Sequence, residues 1–131
     1  MSDVLGYHYL AEYHSCDVSV INSESDISEI LLEAARISGA TIIDSFFHSF
    51  SPQGVSGVIV IAESHLSIHT WPEHGYAAVD LFSCGDFDYQ KALDYIGDGL
   101  VSEERIYSVV ERGNLAGRSV KKVGAPVSED L

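Results

Sequence analysis

A short segment near the middle of the chain places a hydroxyl, two imidazoles and a carboxylate within a few residues of one another. These groups belong to Glu63, Ser64, His65 and His69, and apolar, strand-like sequence flanks them on both sides. Cys84 follows one predicted hairpin later. A serine, a histidine and a cysteine in such proximity indicate covalent chemistry. The bond that the serine attacks could lie in a substrate or in the protein's own backbone.

Metal binding is one alternative for this cluster. His65 and His69 have the i,i+4 spacing of a zinc site, and Glu63, His74 and Cys84 could supply further ligands. That spacing is informative chiefly on a helix, whereas the sequence around His69 lacks a helical pattern. No second cysteine or closely spaced ligand pair completes a site, so the sequence predicts no bound metal.

A serine hydrolase is a second alternative, with Ser64, His69 and Asp80 as a catalytic triad. The spacing of these residues permits a triad. However, the strained Gly-x-Ser-x-Gly turn that exposes the nucleophile of α/β-hydrolases is absent, because Ser64 sits between Glu63 and His65. The hydrolase alternative therefore stays open without a supporting motif.

Self-processing is the third alternative. The hydroxyl of Ser64 can attack the carbonyl of Glu63 and convert the amide into an ester. If a base then removes the α-proton of Ser64, β-elimination releases the upstream segment. The dehydroalanine that remains hydrolyses to a pyruvoyl group and ammonia. His69 is the natural base, and Ser56 or backbone amides could stabilise the oxyanion.

The elements that must position these residues are predicted in the order β-α-β-β-β-β-α-β, with four consecutive strands between the two helices. Asp26 and Glu29 have the spacing of a capping box at the start of the first helix, and Gly39 supplies its end. Two predicted strands precede Ser64, with a turn at 51–54 between them, and two follow it, with a turn at 72–75 between them. The predicted strands are 5–13, 41–50, 55–62, 66–71, 76–84 and 105–111, and the predicted helices are 26–38 and 88–100.

This order predicts an α/β (α+β) fold, namely a two-layer α/β sandwich with a mostly antiparallel sheet and the helices on one face. The other face of the sheet must then be solvated or buried by a partner. The chain of 131 residues is predicted to form a single domain, 1–131. The two cysteines, Cys16 and Cys84, are expected to be thiols.

Charge and hydropathy exclude several classes of partner. Seven basic against twenty acidic residues argue against binding to nucleic acid and to anionic membranes. No apolar run approaches the roughly 18 residues of a membrane span, and no secretory signal is visible. A cytoplasmic location is therefore expected.

Three stretches of the chain closely resemble the short prokaryotic S-adenosylmethionine decarboxylases. They read FHSFSPQGVSG at residues 47–57, AESHLSIHTWPEHGYAAVD at residues 62–80 and SCG at residues 83–85. Weaker similarity near the start, at Gly6 and His8 among others, extends the resemblance over most of the chain.

The resemblance implies cleavage between Glu63 and Ser64, which would give a β chain of residues 1–63 and an α chain of residues 64–131. It implies that Ser64 becomes the pyruvoyl cofactor, that His69 serves as the processing base and that Cys84 is the proton donor in decarboxylation. It also implies a homodimer of processed protomers with active sites at the interface, which would suit the uncovered face of the sheet.

The activity that the resemblance implies is decarboxylation of S-adenosylmethionine for spermidine biosynthesis. The substrate amine would form a Schiff base with the pyruvoyl ketone, and the carbonyl system would accept the electrons left by carbon dioxide. Phe50 is implied to stack on adenine, Trp71 to wall the pocket and Glu73 to accept hydrogen bonds from the ribose. A pyruvoyl-dependent arginine or ornithine decarboxylase of the same family is the alternative, and a non-catalytic homologue is a third hypothesis.

Overall fold

The structure is a computed structural model that describes residues 3–62, 64–84 and 86–116. It contains six strands and three α-helices within those ranges, with a short 3-10 helix at Pro72–His74. The strands are β1 (Val4–His14), β2 (Ile42–Ser49), β3 (Val55–Ile61), β4 (Ser64–Trp71), β5 (Tyr76–Ser83) and β6 (Glu104–Asn114). The helices are α1 (Val18–Ile21), α2 (Glu24–Ile37) and α3 (Tyr89–Gly99).

The six strands form one sheet in the order β2-β3-β4-β5-β1-β6. Every neighbouring pair is antiparallel. Strands β2 to β5 follow one another as hairpins, whereas β1 inserts between β5 and β6 and so joins the two ends of the chain. The sheet and its helices confirm the predicted fold class.

Helices α2 and α3 pack together against one face of the sheet. Strand residues alternate between the two faces, so each strand contributes every second side chain to this layer. Burying a large aliphatic side chain contributes roughly 1.5–3 kcal/mol, which makes this layer the main source of stability. Its fully buried members include Tyr13, Ile27, Leu31, Ile59, Leu66, Ile68, Leu81, Leu93 and Ile96.

The opposite face of the sheet has no helical cover among the described residues, and we call it the open face. It is formed by the even-numbered residues of β1, β3, β5 and β6 and the odd-numbered residues of β4. Several of its side chains are apolar yet accessible; Phe46 of β2, opposite Val58, is 66% exposed. This is the face predicted from the sequence to be solvated or covered by a partner.

Helix α2 begins earlier than the sequence analysis predicted. Ser23 is its N-cap, and the Oγ of Ser23 accepts a hydrogen bond of 3.2 Å from the backbone N–H of Asp26. The predicted cap at Asp26 was therefore wrong, because Asp26 lies inside the first turn. There its negative charge interacts favourably with the positive end of the helix dipole. Gly39 has a φ of +91° just after the helix, which confirms its role in the C-terminal stop.

Helix α1 was missed because four residues are too few to show a helical period. Asp17 caps it by accepting hydrogen bonds from the backbone N–H groups of Ser19 and Val20. Strand β6 continues to Asn114, beyond the predicted end at residue 111. In the part of the chain that the structure describes, no helix has the length and apolar character needed to cross a membrane.

Candidate active site

Ser64 is the first residue of β4, at the turn that joins β4 to β3. Its Cα pairs with the Cα of Ser83 at the end of β5, and Cys84 comes next in the chain. The pairing therefore places the predicted nucleophile opposite the residue that precedes the predicted proton donor. Glu63, the other residue of the predicted cleavage site, lies outside the described residues.

A small pocket of about 160 Å³ adjoins Ser64 on the helix-covered side of the sheet. Small and polar side chains dominate its walls, so it suits a small polar group better than a nucleoside. The pocket is lined by Gly39, Ala40, Thr41, Ile61, Ala62, Ser64, Ser83, Asp86 and Phe87.

The two cysteines have different surroundings. Cys84 is exposed at the end of β5, where its thiol is accessible to a reacting group beside Ser64. Cys16 is buried, and burial raises the pKa of its thiol. Burial therefore suits Cys16 to packing, whereas the exposure of Cys84 leaves it available for chemistry.

A second group of predicted site residues meets at the other end of β4. The register of β3 and β4 places Ser56 opposite His69, and the Ser56 Oγ lies 2.8 Å from the His69 Nδ1. Both side chains lie on the open face. The serine and the histidine thus form a hydrogen-bonded pair that the sequence analysis had assigned jointly to processing.

A wider cavity of about 450 Å³ opens over this pair. Its wall is mainly apolar and aromatic, and the rings of His48 and Phe50 meet edge to face at 4.6 Å. Such a wall suits a flat heteroaromatic ring. The cavity is lined by Phe46, His48, Phe50, Ser56, Gly57, Val58, Ser67 and His69.

Trp71 and Glu73 lie beyond His69 in the same direction along the chain. The rings of His69 and Trp71 are 6.5 Å apart, and Trp71 also faces Tyr76 at 5.4 Å. Glu73 is exposed on the 3-10 helix. Trp71 thus extends the aromatic surface of the open face, and Glu73 presents a carboxylate to solvent.

The two groups are far apart within one chain. His69 lies five positions after Ser64 in β4, which corresponds to about 17 Å along an extended strand. The two side chains also leave opposite faces, since Ser64 shares the helix-covered face with Leu66 and His69 lies on the open face. One chain therefore does not bring the predicted nucleophile and the predicted base together.

Comparisons with known proteins establish the family. Residues 7–113 match the family of S-adenosylmethionine decarboxylase. The chain belongs to the S-adenosylmethionine decarboxylase family. It is 47% identical over 112 residues to the S-adenosylmethionine decarboxylase proenzyme of Pyrococcus furiosus, covering 85% of this chain and 81% of that one.

Further relatives agree with this assignment. The proenzyme of Caldicellulosiruptor saccharolyticus is 50% identical over 110 residues, covering 83% of this chain and 89% of the relative. A crystal structure of the adenosylmethionine decarboxylase from Aquifex aeolicus is 41% identical and superposes with a TM-score of 0.78, covering 84% and 92% of the two chains. The resemblance noted in the sequence is confirmed.

This member of the S-adenosylmethionine decarboxylase family carries a polar cluster on the open face that the sequence analysis missed. Asp80 accepts a hydrogen bond of 2.6 Å from the Nε2 of His8 and another from the hydroxyl of Ser67. The Nε2 of His65 lies 3.5 Å from the same carboxylate. Burial alone would raise the pKa of Asp80, but these contacts outweigh it and hold the pKa below its usual value.

The same cluster bears on both alternatives to self-processing. Asp80 contacts His8 and His65 and pairs in register with Ser67, so one chain does not assemble a triad of Ser64, His69 and Asp80. The atoms of His8, His65 and Asp80 that could bind a metal lie within 4.8 Å of one another. The predicted zinc candidates were a different set.

Arg112 argues against a metal in this cluster. Its Nη1 lies 3.0 Å from the Nδ1 of His8, and a guanidinium nitrogen can only donate. The Nδ1 of His8 must therefore accept, and the ring proton sits on Nε2, the atom that a metal would need. The arrangement fits a hydrogen-bonded cluster better than a metal centre.

Proposed function

We propose that the chain is a self-processing proenzyme that decarboxylates S-adenosylmethionine and so produces the aminopropyl donor for spermidine biosynthesis. Cleavage between Glu63 and Ser64 gives a β chain of residues 1–63 and an α chain of residues 64–131 whose first residue is a pyruvoyl group. The main support is the family, whose relatives bear the name proenzyme. The position of Ser64 at a hairpin turn beside Cys84 adds to it.

The chain's own residues account for each step of processing. The Oγ of Ser64 attacks the carbonyl carbon of Glu63, the C–N bond breaks and the proton of the hydroxyl ends on the Ser64 nitrogen. A base removes the Ser64 α-proton, and the Glu63 carboxylate leaves as the Cβ–O bond breaks. The enamine that remains tautomerises and takes up one water, which releases one ammonia and leaves the ketone.

The pocket beside Ser64 is compatible with a pyruvoyl group. Ser83 and Thr41 offer hydroxyls at its wall, and its small volume would exclude bulk water once the substrate is bound. A pyruvoyl group supplies an electrophilic carbonyl that accepts the electrons of the breaking carbon–carboxylate bond. In this proposal, the start of β4 positions the pyruvoyl group near the thiol of Cys84.

Cys84 is assigned to deliver the proton that replaces the carboxylate on the substrate Cα. Its exposed thiol lies next to the residue that pairs with Ser64. Phe50 and His69 are assigned to the two faces of adenine, since both line the cavity of about 450 Å³ on the open face. Trp71 is assigned to the wall of this site, and the exposed carboxylate of Glu73 to the ribose hydroxyls.

A homodimer reconciles these assignments with the distance between the two ends of β4. In a two-fold arrangement, residue i of one copy contacts residue j of the other, and the reverse. A two-fold axis through the open face near the middle of β4 would bring Ser56 and His69 of one copy to the Ser64 end of the other. The accessible apolar side chains of this face, such as Phe46, Val60 and Ile106, would then be buried.

The test combines mass measurement with three substrates. Intact mass and a denaturing gel of the purified protein should show two chains, and borohydride reduction with an amine present should label the α chain. Carbon dioxide release is then measured in parallel with S-adenosylmethionine, arginine and ornithine. We expect release from S-adenosylmethionine. An intact chain would refute self-processing, and release from arginine or ornithine alone would overturn the substrate.

A further inference from the structure

The cluster around Asp80 is the best-organised polar feature of the open face that the proposed chemistry leaves unused. Its inner shell is the carboxylate of Asp80 with His8, His65 and Ser67. Arg112 closes the shell behind His8. Phe82 lies beneath, with its ring stacked on His65 at 5.9 Å and in edge contact with His8 at 5.8 Å.

The direction of each hydrogen bond follows from the donors available. Arg112 donates to the Nδ1 of His8, so His8 donates from Nε2 to Asp80 at 2.6 Å. The carboxylate is thereby held in one orientation, with its second oxygen accepting from Ser67. Asp80 also contacts His65, whose Nε2 lies 3.5 Å from the carboxylate. The other side of the His65 ring packs against Phe82.

The position of His65 in the chain gives this contact a consequence. His65 directly follows Ser64 in the chain. In the uncleaved chain both residues belong to the hairpin between β3 and β4, which restrains them. Cleavage before Ser64 would turn an internal strand position into a chain end. Chain ends fray unless they are tied down. Residue 64 would also lose its hydroxyl and its backbone nitrogen on becoming a pyruvoyl group, which leaves His65 as the first residue with a polar side chain that can anchor the new end.

We propose that Asp80, supported by His8 and Arg112, is a positioning residue that anchors His65 and so fixes the chain end that cleavage creates at residue 64. The inference rests on the proposed function, because it needs the cleavage. The contact between Asp80 and His65 adds little to the order of β4 in the uncleaved chain, because the hairpin already restrains His65. In the cleaved protein it keeps residue 64 in register with Ser83 and beside Cys84.

Hydrogen exchange compares the two states directly. Backbone amide exchange of residues 65–67 is measured in the cleaved protein and in the uncleaved Ser64→Ala chain, each with and without Asp80→Asn. We expect Asp80→Asn to speed exchange at the start of β4 by about tenfold in the cleaved protein and by much less in the uncleaved chain. Equal acceleration in both states would indicate an ordinary structural contact and overturn the inference.

A matched control comes from the same face of the sheet. Glu12 accepts a hydrogen bond of 2.7 Å from the hydroxyl of Tyr76, and Glu12→Gln makes the same carboxylate-to-amide change away from Ser64. This variant should leave exchange at residues 65–67 unchanged in both states. If Glu12→Gln has the effect of Asp80→Asn, the effect comes from the whole face and the inference fails.

A double-variant comparison tests whether Asp80 acts through His65. His65→Ala removes the anchored ring, and adding Asp80→Asn to it should cause no further loss of protection or turnover, because contacting residues that act as a unit are non-additive. Additive effects would overturn the inference. If Asp80→Asn does not fold, His65→Ala alone gives the same comparison between cleaved and uncleaved chains.

Cleavage itself separates this inference from the proposed function. If the wild-type chain stays intact, the proposed function fails and the inference fails with it. If the wild-type chain is cleaved but Asp80→Asn is not, Asp80 acts in processing and the inference alone is wrong. If both are cleaved and their exchange is equal, the inference alone is wrong again.

Discussion

The two ends of strand β4 carry different halves of the proposed chemistry. At the first end, Ser64 pairs with Ser83, the residue before Cys84, and adjoins a small polar pocket on the helix-covered side. At the other end, about 17 Å away, Ser56 and His69 line a wide, mainly aromatic cavity on the open face. One end suits bond breaking at a small group, and the other suits recognition of a ring.

This difference teaches that one folded chain holds all the side chains but not one complete site. The alternation of side chains along β4 sends Ser64 and His69 to opposite faces, and no rotamer change can bridge the gap. A second copy on the open face would bring a partner's His69 to the Ser64 end of the strand and so remove the separation along β4. Variants at the two ends of β4 test whether the site is shared between two copies.

Loss of the hydroxyl at the first end should have the largest effect. Ser64→Ala should abolish cleavage completely, because no nucleophile remains to attack Glu63, and intact mass should show a single chain. Ser108→Ala, an exposed serine of β6, serves as the matched control and should be cleaved as wild type. Two chains from Ser64→Ala would disprove the proposed cleavage site.

Mixed chains test whether the two ends come from different copies. His69→Ala should be cleaved slowly by itself, since its base is missing. Co-expressed with Ser64→Ala, which supplies an intact His69, the His69→Ala chain should be cleaved in about half of randomly paired dimers. A C-terminal tag on one chain separates the masses.

The control for this mixture is a Ser64→Ala partner that also carries His69→Ala. It should give no rescue, because it offers no histidine. Rescue by this partner would show that pairing alone restores cleavage, and no rescue by either partner would place His69 and Ser64 in the same copy.

Removal of the thiol should spare cleavage but not turnover. Cys84→Ala should process normally and lose about 10²-fold or more in kcat, because general acid catalysis typically contributes at least that much. Carbon dioxide release and intact mass are measured on the same sample. Cys16→Ala, at the buried cysteine, is the control; unaltered turnover in Cys84→Ala would remove the thiol from the mechanism.

Substitutions in the aromatic cavity of the open face should change the KM for the substrate. Phe50→Ala removes an exposed ring from the open-face cavity, and stacking of about 0.5–1.5 kcal/mol corresponds to a rise of about two- to tenfold in the KM for S-adenosylmethionine. Phe50→Tyr keeps the aromatic face and should behave as wild type. A fall in kcat with an unchanged KM would place Phe50 in the chemistry.

The smallest expected effect is on acid stability. The contacts of Asp80 lower its pKa in the folded state, so they stabilise the fold above about pH 4 and lose this contribution as the pH falls through the lowered pKa. Acid titrations followed by circular dichroism should therefore fall less steeply for Asp80→Asn than for wild type. The uncleaved Ser64→Ala background keeps processing out of this measurement, and a steeper fall would contradict the assigned shift.

Most of the fold could be predicted because its signals are local. Strands β2 to β5 are rich in β-branched, aromatic and other apolar residues, and turns at 51–54 and 72–75 are recognisable, so their order followed from the sequence. Helix α1 could not be predicted, since four residues contain about one turn. The cap of α2 was misplaced because both Ser23 and Asp26 are good capping residues and only the hydrogen bonds distinguish them.

The candidate site divides in the same way. Ser64, His69 and Cys84 could be named from their types and spacing, and the family resemblance was confirmed. Their mutual distance could not be read, because it depends on the register of β4 and on which face each residue occupies. The contacts of Asp80 could not be predicted either, since His8 reaches it only through the pairing of β1 with β5.

The amino-acid sequence alone was enough to deduce the number of strands and their order along the chain, the family, and the residues able to break and remake bonds. These depend on side-chain chemistry and on spacing along a covalent chain. Only the tertiary structure decided that Ser64 and His69 occupy opposite ends and faces of one strand, and that His8, His65 and Asp80 meet. Such placements arise when β1 inserts beside β5 and the sheet buries one face under helices, which is a property of the whole chain and of no single segment.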